Sequence, residues 1–268
     1  MALIYYNWNL VAEKQNRNLP GMAEFLHYSN PVFGFALTCI DRSGTISVPF
    51  NVTTAFPIPV FRPFQKTLED ITNERARELL KHADERDVLI YVMWSGGIDS
   101  TLIMVSLLKM ATSEQKKRIV VLLSEESITE NPRFYAEHIR GNLRKEPSAL
   151  FPYIIGSTHL FVTGGMNDSL FGSPSAQYLM ERYGNSILHQ RFTEEVLFSF
   201  INERLQDDRV TRLYVDIFRR VVNAAPMPIT SYFDYFWWLT FTLRWQGVYR
   251  RPLWFAAEWN AHNVTKEY

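Results

Sequence analysis

The chain has 268 residues, enough for one large domain or two small ones, and its hydrophobic fraction of 47% can supply a substantial core. Its 28 basic and 28 acidic side chains cancel, so charge gives no case for a nucleic-acid or membrane partner. The single cysteine, Cys39, excludes an internal disulfide and a zinc site built from cysteines. No apolar run is as long as a membrane span, and the first residues lack the charged start of a signal peptide, so we expect a cytoplasmic protein.

The first 65 residues contain short β-forming runs separated by turn residues. Two of these runs, 32–40 and 45–50, flank the turn-forming residues 41–44, and this pattern predicts a β-hairpin with a glycine-containing loop. We therefore predict a small β-rich N-terminal region over residues 1–65, and a second domain over residues 66–268.

A linker and a helix are expected before the first strand of that second domain. The prolines of 56–63 predict an extended segment. Residues 66–86 predict an amphipathic helix, because apolar side chains recur on one face among charges. The members of that apolar stripe are Leu68, Ile71, Ala76, Leu79 and Leu80. We assign chemistry to neither segment.

Residues 88–110 form the most informative stretch of the chain. Val88 to Trp94 is apolar and rich in β-formers, which is typical of a buried strand in a parallel sheet. Leu102 to Met110 lacks glycine and proline and predicts a helix packed on that sheet. Between them lies a turn of small residues, Ser95-Gly96-Gly97-Ile98-Asp99-Ser100-Thr101.

The composition of this turn favours an anion site with a metal ion. Adjacent glycines allow close approach of the backbone to a ligand, and a helix N-terminus offers unpaired N–H groups and partial positive charge. Hydroxyl groups add further donors. Asp99 would repel a phosphate unless a cation lies between them, and Mg²⁺ suits a carboxylate and phosphate oxygens. The alternative is an ordinary strand–turn–helix in which Ser and Asp cap the helix.

The turn resembles the S-G-G-x-D-S signature of the PP-loop ATP pyrophosphatases. Ser95, Gly96, Gly97, Asp99 and Ser100 all match, whereas no G-K-[ST] follows, so the stretch is not a Walker A loop. The resemblance implies that the loop holds the pyrophosphate part of ATP and that Asp99 holds Mg²⁺.

A second strand is predicted at 118–123, followed by Ser124 and Glu125. Adjacent parallel strands present their carboxyl ends to one ligand, so topology places these two residues near the base or ribose of a nucleotide. A solvated loop is an equal alternative for the acidic pair Glu125 and Glu126. Asn131-Pro132 then predicts the start of a helix.

A third strand, 157–163, leads into Gly164-Gly165-Met166-Asn167-Asp168-Ser169-Leu170-Phe171-Gly172. This stretch resembles the second motif of the asparagine synthetase-type PP-loop domain, G-[DE]-G-x-D-E-L-F-G-G. The resemblance places Asp168 on the metal aspartate and Gly164 on the first glycine. It implies that Asp99 and Asp168 clamp one Mg²⁺ on the pyrophosphate. A glycine-rich turn in which Asp168 caps a helix is the alternative.

The chain departs from that second motif at two positions. Gly165 stands where the family has an acid, or a tyrosine in some amide-forming members, and Ser169 stands where it has a glutamate. Both departures put amide ligation of the asparagine type in doubt, while nucleotide and metal binding are kept.

The remainder of the chain predicts a helical C-terminal part. Three helices are expected within 174–225, and an aromatic segment follows at 232–245. Arg250, ahead of Pro252, resembles an arginine of the family, and we name it as a catalytic candidate. The sequence does not choose among the cations that could neutralise pyrophosphate, which are Arg244, Arg250, Arg251 and Lys266.

Together these patterns predict an α/β fold, in which a parallel doubly wound sheet follows the β-rich region and precedes the helical part. The resemblance implies that this sheet is of the adenine nucleotide α-hydrolase type. The resemblance implies an ATP- and Mg²⁺-dependent enzyme that adenylates an acceptor oxygen, after which a nitrogen nucleophile displaces AMP. Its partners would be ATP and a small-molecule acceptor, without membrane or nucleic acid, and a homodimer stays open. The expected ATP contacts are Trp94, Ser95, Gly96, Gly97, Asp99, Ser100, Thr101, Ser124, Gly164 and Gly165. The alternatives are a nucleobase or tRNA modifier and a non-catalytic ATP-binding protein.

Overall fold

A computed structural model describes residues 41–45, 57–155, 157–165, 174–243 and 245. The chain divides into two compact units. The sheet unit comprises the described residues of Pro63–Asn167, and the helical unit comprises those of Met1–Arg62 and Asp168–Arg250. Because most of residues 1–65 lies outside the described ranges, the predicted β-rich region stays a prediction.

The sheet unit alternates strands and helices. Its elements are α1 (Leu68–Arg86), β1 (Ile90–Met93), α2 (Ile98–Met110), α3 (Ser113–Lys116), β2 (Ile119–Leu123), α4 (Glu125–Glu130), α5 (Pro132–Phe134), a π-helical turn (Tyr135–Ile139), β3 (Arg144–Pro147), a 3-10 turn (Ser148–Leu150), α6 (Phe151–Ile154) and β4 (Leu160–Thr163).

The four strands form one parallel sheet in the order β3-β2-β1-β4. Ile90 of β1 pairs with Ile119 of β2 on one side and with Leu160 of β4 on the other. The direction of strand addition therefore reverses at β1, and the crevice between the carboxyl ends of β1 and β4 is the usual ligand position in such a sheet. This topology confirms the predicted α/β class and parallel sheet.

Apolar side chains cover both faces of the sheet. On one face Ile90 and Val92, both fully buried, pack with Met104 of α2 and Leu80 of α1. On the opposite face the cluster of Tyr91, Val120 and Leu122 contacts partly buried side chains of α6. Burial on both faces explains why the sequences of β1 and β2 are continuous apolar runs rather than alternating ones.

Of the four strands in this sheet, β3 is the one that the sequence pattern does not predict. Its residues Arg144–Pro147 are polar and end in proline, and they pair with Val120 to Leu123 at the edge of the sheet. An edge strand needs no apolar face and tolerates proline, so neither periodicity nor propensity marks it.

Helix α1 lies within the predicted 66–86, and Thr67 begins it with a capping box to Asp70. The predicted apolar stripe is correct only in part. Ala76, Leu79 and Leu80 join the core cluster, whereas Leu68 and Ile71 are 45% and 40% exposed. The buried face continues instead toward the C-terminal end of the helix, at Ala83.

The helical unit contains four α-helices in its described residues, and they agree with the predicted helices. They are α7 (Pro174–Tyr183), α8 (Glu194–Leu205), α9 (Asp208–Asn223) and α10 (Tyr232–Leu243), with a 3-10 turn at Asn185–His189. Buried aromatic side chains of α8, α9 and α10 form its core, among them Phe200, Phe218 and Trp238. The predicted turn at 41–44 is confirmed, because Asp41 accepts hydrogen bonds from the backbone N–H of Ser43 and Thr45. The strands predicted to flank this turn lie outside the described residues.

We expect Trp238→Phe to destabilise the helical unit. The buried indole N–H donates to the carbonyl of Val221 at 2.8 Å, in the last turn of α9, where helical carbonyls lack partners along the helix. Loss of this donor leaves a buried acceptor unpaired and should lower the free energy of unfolding by about 1–3 kcal/mol, measured by urea denaturation. The control is Trp237→Phe, which makes the same substitution at a ring that stacks on Phe241. An equal loss of stability in both variants would contradict the expectation.

Candidate functional site

The loop after β1 lies at the carboxyl end of the sheet, in front of the first turn of α2. The strand ends at Met93, and Gly97 is the N-cap residue of α2, which begins at Ile98. The sequence pattern predicts this helix over Leu102 to Met110, so the observed start at Ile98 adds about one turn. Asp99 consequently lies in the first turn, where a carboxylate meets the positive end of the helix dipole.

Ser100 holds the loop together. Its buried hydroxyl accepts from the backbone N–H of Ser95 at 3.1 Å and donates to the carbonyl of Gly97 at 3.1 Å. The hydroxyl of Ser95 lies 3.1 Å from that of Ser100, and Ser95 itself is exposed. Of these two serines, Ser95 is therefore the one whose hydroxyl can reach an incoming ligand, whereas Ser100 shapes the backbone.

Three side chains fix the orientation of the Gly96 peptide group. The indole N–H of Trp94 donates to the hydroxyl of Thr101 at 3.1 Å, and this hydroxyl donates to the Gly96 carbonyl at 3.3 Å. The amide of Asn131 donates to the same carbonyl at 3.4 Å. Trp94 is only 1% exposed, so it acts on the loop from the core and not by direct contact with solvent. The contact of Asn131 with the loop could not be predicted from the sequence, because its partner is a backbone atom far away in the chain.

Gly96 must be glycine for two reasons. Its φ of 89° lies in the region that side-chain-bearing residues rarely adopt. A Cβ there would also lie 2.4 Å from the carbonyl oxygen of Ser127 in α4. The helix that follows β2 thus packs directly on the glycine turn that follows β1.

The tip of β4 meets the same loop. A Cβ on Gly164 would lie 2.9 Å from both the carbonyl carbon of Asp99 and the backbone nitrogen of Ser100. Gly165 donates its N–H to the hydroxyl of Thr163 at 3.1 Å. Gly164 belongs to the second predicted motif, and the first turn of α2 carries Asp99 and Ser100 of the first motif. The structure therefore brings residues of the two motifs into contact.

We expect Gly164→Ala to displace the first turn of α2. The added methyl group would press on two backbone atoms, which cannot yield as a flexible side chain does. The free energy of unfolding should fall by about 1–3 kcal/mol in a denaturant titration. Gly141→Ala is the control, because among the described residues a Cβ at Gly141 meets no atom within 4 Å. Equal stability of the two variants would show that the two loops do not pack as described.

Ser124 follows β2 and is the N-cap residue of α4, accepting from the N–H of Ser127 at 3.4 Å. The acidic residues after it are helical, which replaces the solvated loop that we considered for them. A hydrogen bond from the Ser124 side chain lowers the pKa of Glu126 below its ordinary value. Ser124 lies one strand away from the loop at the same sheet edge, as expected, but its hydroxyl is engaged in capping.

Two predicted residues cannot be placed in this site. Asp168 and Arg250 lie outside the described residues, as do the other candidate cations Arg244, Arg251 and Lys266. The proposed clamp between Asp99 and Asp168 therefore stays a prediction. Within the described ranges, no three His, Cys, Asp or Glu side chains gather into a group that could hold a metal ion.

One acidic residue beside the loop was missed from the sequence. A Cβ on Gly97 would lie 3.1 Å from Oε1 of Glu130, so this carboxylate lies against the N-cap residue of α2. Glu130 is the last residue of α4 and belongs to no motif, which is why a pattern search passes over it. Asp99 and Glu130 offer hard oxygen ligands, and one or two carboxylates with phosphate oxygens are what Mg²⁺ usually takes, so the donor chemistry fits this ion.

Comparisons of the chain with protein-family models, with curated proteins and with solved structures find no significant match. Among the helices of the described ranges, none combines the length and apolar character that crossing a bilayer requires. The sheet order and its covering helices make the sheet unit an α/β structure compatible with a Rossmann-like fold, with the glycine loop at the point where strand order reverses.

Proposed function

We propose that the chain is a Mg²⁺-dependent ATP pyrophosphatase of the PP-loop type, which adenylates an acceptor oxygen and releases pyrophosphate. The observation that carries the proposal is the contact of Gly164 with the backbone of Asp99 and Ser100. Gly164, the first residue of the second motif, thus lies beside the first motif at the switch point of a parallel sheet, although the two motifs are distant in the chain. An accidental likeness of either motif would not require the two to meet.

The loop residues would divide the work of binding. The exposed hydroxyl of Ser95 and the N-terminus of α2 would bind the pyrophosphate part of ATP, while Ser100, Thr101 and Trp94 hold the backbone in shape. Asp99 would orient the metal ion. Mg²⁺, when bound, would neutralise charge that develops on the leaving group.

The reaction would proceed in two displacements. An acceptor oxygen attacks the α-phosphorus of ATP, the bond from that phosphorus to the bridging oxygen breaks, and pyrophosphate leaves. A nitrogen nucleophile then attacks the activated carbon, and AMP leaves with the acceptor oxygen. Donors that are already oriented around the pyrophosphate would supply most of the rate, since they meet the developing charge without reorganisation.

The two alternatives differ in their support. A tRNA modifier needs a cationic surface near the loop. Among the residues that the structure describes, a groove lined by Lys109, Lys116, Lys117 and Arg144 is cationic, but it lies at the amino end of the sheet. Helix α2 separates the two ends by roughly 15–20 Å along its axis. A non-catalytic ATP-binding protein is favoured by Gly165, since the family has a catalytic side chain there.

The decisive measurement is exchange of labelled pyrophosphate into ATP across a panel of carboxylic acids, with calorimetry of MgATP binding alongside. Exchange that depends on one acceptor supports adenylation. Tight MgATP binding without exchange or AMP formation, whatever the acceptor, supports the non-catalytic alternative. Absence of MgATP binding by calorimetry contradicts both.

A further inference from the structure

The side chain of Glu130 lies against the glycine loop. A Cβ added to Gly97 would lie 3.1 Å from Oε1 of Glu130, and a Cβ added to Gly96 would lie 2.8 Å from Cβ of Glu130. Both glycines belong to the loop that would bind pyrophosphate. Glu130 is exposed, and no ion pair found within the described residues includes it.

The backbone keeps Glu130 in this place. It is the last residue of α4, and the next residue, Asn131, donates its side-chain amide to the Gly96 carbonyl and caps α5 with its side-chain oxygen. Ser127, one turn earlier, touches Gly96 through its carbonyl oxygen. The acid is therefore held on both sides by residues that contact the loop.

An acid beside a helix N-terminus has a structural explanation, because it stabilises the helix dipole. In a loop that binds a triphosphate it has a second effect. A bare triphosphate is repelled by this carboxylate, whereas a divalent cation between carboxylate and phosphate oxygens converts the repulsion into attraction. The two explanations differ in one measurable respect, which is how the effect of the charge depends on the metal.

We propose that Glu130 makes the loop selective for nucleotide carrying a divalent cation over free nucleotide. This inference rests on the proposed function, since it assigns a role to Glu130 at the same nucleotide site. Glu130 is then a specificity-determining residue that discriminates by charge.

The test compares Glu130→Gln with the parent protein in ATP-binding calorimetry, in EDTA and in excess Mg²⁺. Glutamine keeps the shape of the side chain and removes its charge. We expect Glu130→Gln to bind free ATP about fivefold more tightly than the parent, because one screened like-charge repulsion is removed, and to bind MgATP no more tightly. If Glu130→Gln does not fold, Glu130→Ala takes its place in the same calorimetry, after thermal melting has shown that this second variant is folded.

Glu114→Gln is the matched control, because it removes one acidic charge from the sheet unit in α3, at the far end of α2 from the loop. Its ATP affinity should stay unchanged under both conditions. If Glu130→Gln changes affinity equally with and without Mg²⁺, or not at all, while the parent binds MgATP, the selectivity role is overturned and the proposed function stands. If the parent does not bind MgATP, the proposed function itself fails.

Discussion

Gly96→Ala is expected to abolish ATP binding and to destabilise the sheet unit. The substitution forces alanine to a φ of 89° and drives a methyl group to 2.4 Å from the carbonyl oxygen of Ser127. Neither α4 nor the loop can retreat freely, because Asn131 ties the two together. We expect a loss of about 2–4 kcal/mol in the free energy of unfolding, from backbone strain and steric overlap together.

Stability is measured by a urea titration followed by circular dichroism. MgATP binding is measured by calorimetry without denaturant, at a temperature where the variant remains folded. Gly141→Ala serves again as the control, since it adds the same methyl group to the sheet unit in open space among the described residues. A folded Gly96→Ala that binds MgATP as the parent does would refute the assignment of the loop as the phosphate site.

Asp99→Asn is expected to remove the metal dependence of nucleotide binding and to lower pyrophosphate exchange about 100-fold or more. The side chain keeps its size and its place in the first turn of α2 but loses the charge that would hold Mg²⁺. Affinity for free ATP should rise or stay unchanged, because one negative charge near the phosphates disappears.

The control for this charge change is Asp87→Asn. Asp87 is an exposed C-cap residue ahead of β1, paired with Arg118 at 2.8 Å, and asparagine tolerates its left-handed backbone. Pyrophosphate exchange measured against Mg²⁺ concentration should be that of the parent in Asp87→Asn. Asp99→Asn with full exchange and the parental Mg²⁺ profile would exclude Asp99 as the metal ligand.

The central strands and the loop could be predicted because they carry their own local signals. A strand buried on both faces reads as an unbroken apolar run, so β1 and β2 are evident from the residues alone. The turn can be recognised because two adjacent glycines, several hydroxyl side chains and one acid occur together between a predicted strand and a predicted helix. The observed parallel pairing of β1 with both β2 and β4 agrees with the predicted parallel sheet, whereas the order of the strands was not predicted.

The features that were missed depend on partners distant in the chain. β3 is held by hydrogen bonds to β2 and not by its own apolar face. Glu130 and Asn131 contact the glycine turn only because α4 packs on it, and a list of residue types cannot reveal that packing. Leu68 and Ile71 have helical spacing with the buried residues, but they are exposed in the structure.

The pairing of β1 with β4 also has a kinetic consequence. Ile90 and Leu160 are paired although the whole of α2, β2 and β3 lies between them in the chain, so the entropy of closing this long loop must be overcome before the contact yields any stabilisation. The crevice therefore has no counterpart in a partly synthesised chain that stops before β4. Cooperative closure of the last strand, rather than formation of the glycine turn, would be the event that makes the protein competent to bind its ligand.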